Sequence, residues 1–91
     1  MQVLQTPTFK RQSKKLHQNQ KINLDDAIRH IISNPETGEL KKGDLSGVRV
    51  YKFKMQKQLT LIAYKVFDTK MELILLALGS HENFYSNLKN Q

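Results

Sequence analysis

Four side chains in the C-terminal half have types and spacings that suit phosphate binding and proton transfer: Lys52, Lys54, His81 and Tyr85. In a β-strand, residues two apart project from one face, so the Lys52 and Lys54 ammoniums can flank a single phosphate. Each cation also disfavours the charged form of the other, which fits one of them to accept a proton. An imidazole is the side chain that titrates nearest neutrality, so His81 can serve as acid or base, a role worth roughly 10²–10⁴-fold in rate. Tyr85 follows His81 at i+4, one helical turn on, where it can stack on a base or orient a substrate. RNA scission by its own 2′-hydroxyl asks for these types. It needs a base for that proton, cations for the charge on the phosphoryl oxygens and an acid for the leaving 5′-oxygen, with no metal. Arg49 and Lys57 flank the lysine pair and are further candidates for contacts to the substrate.

Each candidate has a plainer reading. Lys52 and Lys54 read equally as a solvated strand face, His81 as an exposed residue in a helix's first turn, and Tyr85 as a ring packed on a sheet beside Phe84. His17 and His30 fall on helices among polar neighbours and read as surface residues. Tyr51 and Tyr64 have core-facing parity and read as structural. The chain has no cysteine, which excludes a disulfide framework, a thiolate zinc site and a Cys nucleophile and is compatible with the cytoplasm. Three scattered histidines make a poor metal site, and no cofactor is expected.

The elements that must position these residues follow from periodicity. Val3 and Leu4 form a short first strand. Thr6 as N-cap, with Pro7 at the first helical position, opens a helix that carries Phe9, Ser13 and Leu16 on one face. A second helix is expected from Asn23, whose side chain can cap, with Asp25 and Asp26 at the positive end of the helix dipole. Leu24, Ala27, Ile28, Ile31 and Ile32 give it one apolar stripe, and Pro35 ends it at Ser33-Asn34. Residues 35–47 read as a connecting loop. The period then changes to two. Arg49, Tyr51, Phe53 and Met55 share one strand face, and Val48, Val50, Lys52 and Lys54 share the other. Leu59–Phe67 and Met71–Leu78 are nearly continuous apolar strands joined by a hairpin at Asp68-Thr69-Lys70, covered on both faces. Gly79 ends the last strand, Ser80 can cap, and Phe84 with Leu88 anchors a short closing helix. A helical run followed by a strand run implies an α+β fold. An N-terminal strand and helical hairpin pack on a mainly antiparallel sheet of about four strands, with the basic strand residues near the other sheet face.

At 91 residues and a formal charge of +7, residues 1–91 read as a single domain, too small for deep clefts or a large cofactor. The longest apolar run, Leu73–Leu78, is far short of the ~20 residues that span a bilayer, and the first residues lack the apolar core of a signal peptide. A soluble cytoplasmic protein with no membrane partner is expected. The charge is uneven. Lys10, Arg11, Lys14, Lys15 and Lys21 form one zone without an acid, and Arg49, Lys52, Lys54, Lys57, Lys65 and Lys70 form another against Asp68 alone. The acids Asp25, Asp26, Glu36, Glu39 and Asp44 lie between. A polyanionic partner fits this pattern, the alternative being a solvated basic surface.

The stretch from Gly43 to Lys54, then Leu61-Ile62-Ala63-Tyr64, then Leu75 to Tyr85, resembles the RelE/ParE family of bacterial toxins from type II toxin-antitoxin modules. The resemblance covers essentially the whole chain, with its helical hairpin followed by a sheet. It implies a cognate antitoxin encoded nearby and one of two targets. RelE-like members are similar to ribosome-dependent endoribonucleases that cut mRNA and stop translation, whereas ParE-like members inhibit DNA gyrase without cleaving anything. In the ribonuclease branch the resemblance assigns the reaction to the strand lysines Lys52 and Lys54, to His81 after the last strand and to Tyr85. That branch also expects an arginine near Leu59 to Leu61, where this chain has none, and Lys57 is the nearest cation. The reading is therefore an mRNA endoribonuclease toxin, with a gyrase inhibitor or an inactive basic RNA-binding domain as the alternatives.

Overall fold

The structure is a computed structural model that describes residues 1–80 and 84–89. Its elements are β1 (Gln2–Gln5), α1 (Pro7–Lys14), α2 (Gln18–Ser33), β2 (Glu39–Leu40), β3 (Arg49–Met55), β4 (Gln58–Phe67), β5 (Glu72–Ser80) and α3 (Phe84–Lys89). The strands form one sheet in the order β1-β5-β4-β3-β2. Only the β1–β5 pairing is parallel, and the other three are antiparallel. The α+β class holds, with five strands instead of about four. The fifth is β2, two residues inside the stretch 35–47, pairing Glu39 with Val50 and Leu40 with Arg49. Two residues leave no periodicity to detect, so this stretch reads as loop in the sequence.

Two hydrophobic layers cover the sheet. On one face Phe9, Leu24, Ala27 and Ile31 of the helices pack on Met55, Ile62, Tyr64, Leu73, Leu75 and Leu78. On the other, Phe84 and Leu88 of α3 pack on Val48, Val50, Leu61, Ala63 and Ala77. β4 is buried on both sides from Thr60 to Tyr64, in keeping with its unbroken apolar run.

The start of α1 is as the sequence predicts. Thr6 Oγ1 accepts the Phe9 N–H at 3.1 Å and donates to Leu76 O at 2.7 Å. Leu76 has no partner on β4, because Ala63 pairs with Ala77 while Tyr64 pairs with Leu75. It is the extra residue of a β-bulge. β1 reaches only as far as Leu75, and α1 then takes up the polar groups of β5 through Thr6 and through Gln12 Oε1, which accepts the Leu78 N–H at 2.7 Å. Thr6→Ala removes the cap and the hydrogen bond to Leu76 O. A loss of about 1–2 kcal/mol is expected, read as a fall in Tm of roughly 5–10 °C at this chain length.

Three boundaries differ from expectation. α2 begins at Gln18, where the Gln20 side chain accepts the His17 N–H at 2.8 Å. Its first turn is wholly polar, so the apolar stripe does not reveal it. Asn23 is therefore inside the helix, and its Oδ1 accepts the Gln56 N–H at 3.0 Å, holding the β3–β4 turn instead of capping α2. Leu16 lies beyond the end of α1 but still packs on the core. β5 runs through Gly79 to Ser80, because Leu61 and Thr60 of β4 give them partners, so Ser80 ends a strand and is not the cap of α3.

Candidate functional site

β3 sets the position of the lysine pair. β2 covers its outer edge only at Arg49 and Val50, so Tyr51 to Met55 form an open sheet edge. Alternation sends Tyr51 and Phe53 toward α2, where the rings of Tyr51 and His30 stack with centroids 5.4 Å apart. It sends Lys52 and Lys54 to the opposite face, opposite Leu61 and Leu59 of β4. Both lysines are exposed, and neither makes a hydrogen bond or ion pair among the described residues. Two free ammoniums ~7 Å apart along one strand face can share a phosphate or hold two successive ones. Lysines on an open edge also keep it from pairing with other strands.

α3 lies over the same face. Gly79 is opposite Leu61, in the row that contains Lys52. A Cβ built on Gly79 would come 3.5 Å from the Phe84 ring, an ordinary packing distance, so Gly79 lies directly under the start of α3. Phe84 meets Tyr85 edge-on at 5.4 Å. Tyr85 is half-buried and also meets Lys41, whose Nζ is 5.2 Å from the ring centroid. Lys41 Nζ is in turn 3.3 Å from Glu39 Oε1. The Tyr85 hydroxyl raises the Lys41 pKa above the ordinary lysine value, burial works the other way, and Glu39 adds to the rise. A recess of about 220 Å³ beside this contact is lined by Lys41, Lys42, Asp44, Leu45 and Tyr85.

The structure thus puts Lys52, Lys54 and Tyr85 on one face of the sheet. Arg49 is elsewhere. It faces the helix layer and its Nη1 donates to Gly38 O at 2.8 Å and to Glu36 O at 3.2 Å, tying down the segment before β2. Lys57 is at the tip of the β3–β4 turn with φ of 72°, next to Gln56 at 50°, beyond the lysine pair. His81 lies outside the described residues. Lys41 is the member of the group that sequence reasoning misses, because it follows a strand too short to recognise. The one available signal is the opposite charge of Glu39 and Lys41 two residues apart.

Residues 3–89 match the family profile described as ParE-like toxin of type II bacterial toxin-antitoxin system. The chain belongs to this family. No curated protein sequence matches it, and the likeness to solved structures is one of fold. A chain of the intact E. coli RelBE toxin-antitoxin complex superposes with a TM-score of 0.71 at 17% identity, covering 89% of this chain and 96% of that one. The Mycobacterium tuberculosis RelBE2 toxin-antitoxin complex gives 0.74 at 17% identity over 88% and 96%. The YoeB/ParE toxin from Agrobacterium tumefaciens gives 0.71 at 18% over 89% and 99%. Among the described residues, no helix of this ParE-like toxin is long and apolar enough to cross a membrane.

Proposed function

We propose that this toxin is an endoribonuclease that cuts mRNA at the ribosome and so stops translation in the cytoplasm, held inactive by a cognate antitoxin. The observation that carries the reading is the pair of exposed ammoniums of Lys52 and Lys54, without a partner among the described residues, on the sheet face that also bears Tyr85. Two cations beside a scissile phosphate stabilise the charge that grows on its oxygens during attack by the 2′-hydroxyl. One unprotonated basic side chain, a lysine or His81, takes the 2′-proton, and a second, protonated one gives its proton to the leaving 5′-oxygen, while Tyr85 orients the nucleotide. Lys57 at the turn tip can extend the contact along the RNA backbone. In this reading the strongly basic surface needs a covering partner, and the E. coli and M. tuberculosis relatives are described as toxin-antitoxin complexes. A partly disordered acidic and apolar antitoxin segment that folds as it binds suits such a surface.

One observation favours the gyrase reading. Lys10, Arg11, Lys14 and Lys15 are exposed on and beside α1, in the helix layer away from Lys52 and Lys54, and none is in an ion pair among the described residues. Primer extension on cellular mRNA after induction, run beside a gyrase supercoiling assay, separates the two. Cuts inside translated codons support the ribonuclease, and loss of supercoiling without cuts supports the gyrase inhibitor.

A further inference from the structure

Lys41 has a different setting from the other cations of this basic chain. Its side chain is 21% exposed, with Nζ 3.3 Å from the Glu39 carboxylate and 5.2 Å from the centre of the Tyr85 ring. A lysine that meets an incoming phosphate does so best with a free ammonium, as at Lys52 and Lys54. At Lys41 a phosphate would first have to displace Glu39, so phosphate binding is not what this geometry favours. Contact with Tyr85 is. An ammonium over an aromatic face is attracted by the ring quadrupole, and Tyr85 is the largest influence holding the Lys41 pKa above the ordinary lysine value.

The backbone fixes Lys41 independently of Tyr85. Its N–H donates to Val48 O at 2.8 Å, and Glu39 pairs with Val50 on β3. By strand alternation Glu39 and Lys41 share the face that carries Val50 and Val48, beneath α3. Tyr85 therefore meets two partners that are themselves anchored. One is the edge-on ring of Phe84, which is 4% exposed, and the other is the Lys41 ammonium. A half-buried tyrosine on a six-residue helix would otherwise have several rotamers open to it.

We propose that Lys41 is the positioning residue for Tyr85: held by Glu39, its ammonium fixes the Tyr85 ring and hydroxyl on the sheet face that bears Lys52 and Lys54. This rests on the ribonuclease reading, in which Tyr85 touches substrate and Lys41 does not. Its effect on cleavage must then pass through Tyr85.

The test uses the full chain with Lys41→Met, Lys41→Arg, Tyr85→Phe and Tyr85→Ala. In single-turnover cleavage of ribosome-bound mRNA, Lys41→Met is expected to lower the rate at saturation about 10- to 100-fold with KM nearly unchanged, the scale of a displaced positioning group. Lys41→Arg, which keeps the charge and can also lie on a ring, should recover most of it. In a Tyr85→Ala background Lys41→Met should add nothing. An undiminished second loss there would overturn the proposal. A readout independent of activity is NMR titration of the lysine Cε signals. Lys41 should titrate above the exposed lysines and move toward them in Tyr85→Phe. If it titrates with the others in the parent protein, the contact does not form in solution and the proposal falls. If the parent cleaves nothing, the ribonuclease reading fails on its own, while the titration still decides the Lys41–Tyr85 contact.

Discussion

Lys52→Ala combined with Lys54→Ala is expected to lower mRNA cleavage by about 10²-fold or more, because the two ammoniums stabilise the additional charge that grows on the phosphoryl oxygens in the transition state. The double substitution should leave the fold in place. Both side chains are exposed and have no ion-pair partner among the described residues, and surface changes of this kind usually alter stability by less than about 0.5 kcal/mol. Arginine variants divide the roles. Arginine keeps the charge but cannot act as a base, so Lys→Arg at a purely electrostatic position should retain most activity and at the proton-accepting position should not. His81→Ala should cost about 10²-fold in rate and leave binding intact, since phosphate contacts dominate the affinity. The gyrase reading expects a different pattern: growth arrest survives all three substitutions and disappears on charge reversal at Lys10, Arg11 and Lys14. Growth arrest and cleavage measured for both sets decide between them, and a Lys52→Ala, Lys54→Ala protein that cuts at the parent rate removes the site proposed here.

Residues whose role is set by period were legible in the sequence. The 3.6-residue stripe from Leu24 to Ile31 and the two-residue alternation from Val48 to Met55 each decide which way a side chain points before any tertiary contact is known. Hence the sequence places Lys52 and Lys54 on one face and Tyr51 and Tyr64 on the core side. Ile32, also expected in the stripe, is about 80° round the helix from Leu24 and is exposed instead of joining the core. Roles set by a partner distant in sequence left no such trace. Asn23 looks like a helix cap because its type caps helices, yet Gln56, 33 positions on, takes its side chain. Arg49 looks like one more cation of a basic strand, yet its parity turns it to the carbonyls of Glu36 and Gly38. Lys41 looks like part of a polar loop until β2 pairs with β3 and α3 brings Tyr85 over it. In each case the deciding interaction is one or two side-chain contacts with no periodic signature.

Tyr64 shows how much stability such a contact carries, and Tyr64→Phe should lower Tm by roughly 10–20 °C. The ring is fully buried in the centre of β4, and its hydroxyl donates to Pro35 O at 2.7 Å and accepts the Gly38 N–H at 2.9 Å. Removing the oxygen leaves both backbone groups without that partner, at about 1–3 kcal/mol for a buried group left unsatisfied, and each kcal/mol is worth ~4–8 °C at this length. Gly38→Ala attacks the same contact from the other side. A Cβ there would come 2.7 Å from the Tyr64 hydroxyl and 2.8 Å from its ring, closer than packed atoms allow, and the buried ring has nowhere to go. A cost of about 1–3 kcal/mol is expected from the forced shift, and because the two positions touch, the double variant should lose less than the sum of the single losses. The pH dependence identifies the hydroxyl itself. Burial raises the Tyr64 pKa, against weaker downward pulls from the Gly38 amide and the Arg49 charge. The folded state therefore holds this proton more tightly than the unfolded chain does. The stability it contributes is complete below the ordinary tyrosine value of 10.0 and declines as pH rises from there through the folded value. Denaturant melts between pH 7 and 11 should show this alkaline decline in the parent and a shallower one in Tyr64→Phe. Equal slopes for the two proteins would mean that the hydroxyl is not buried as described.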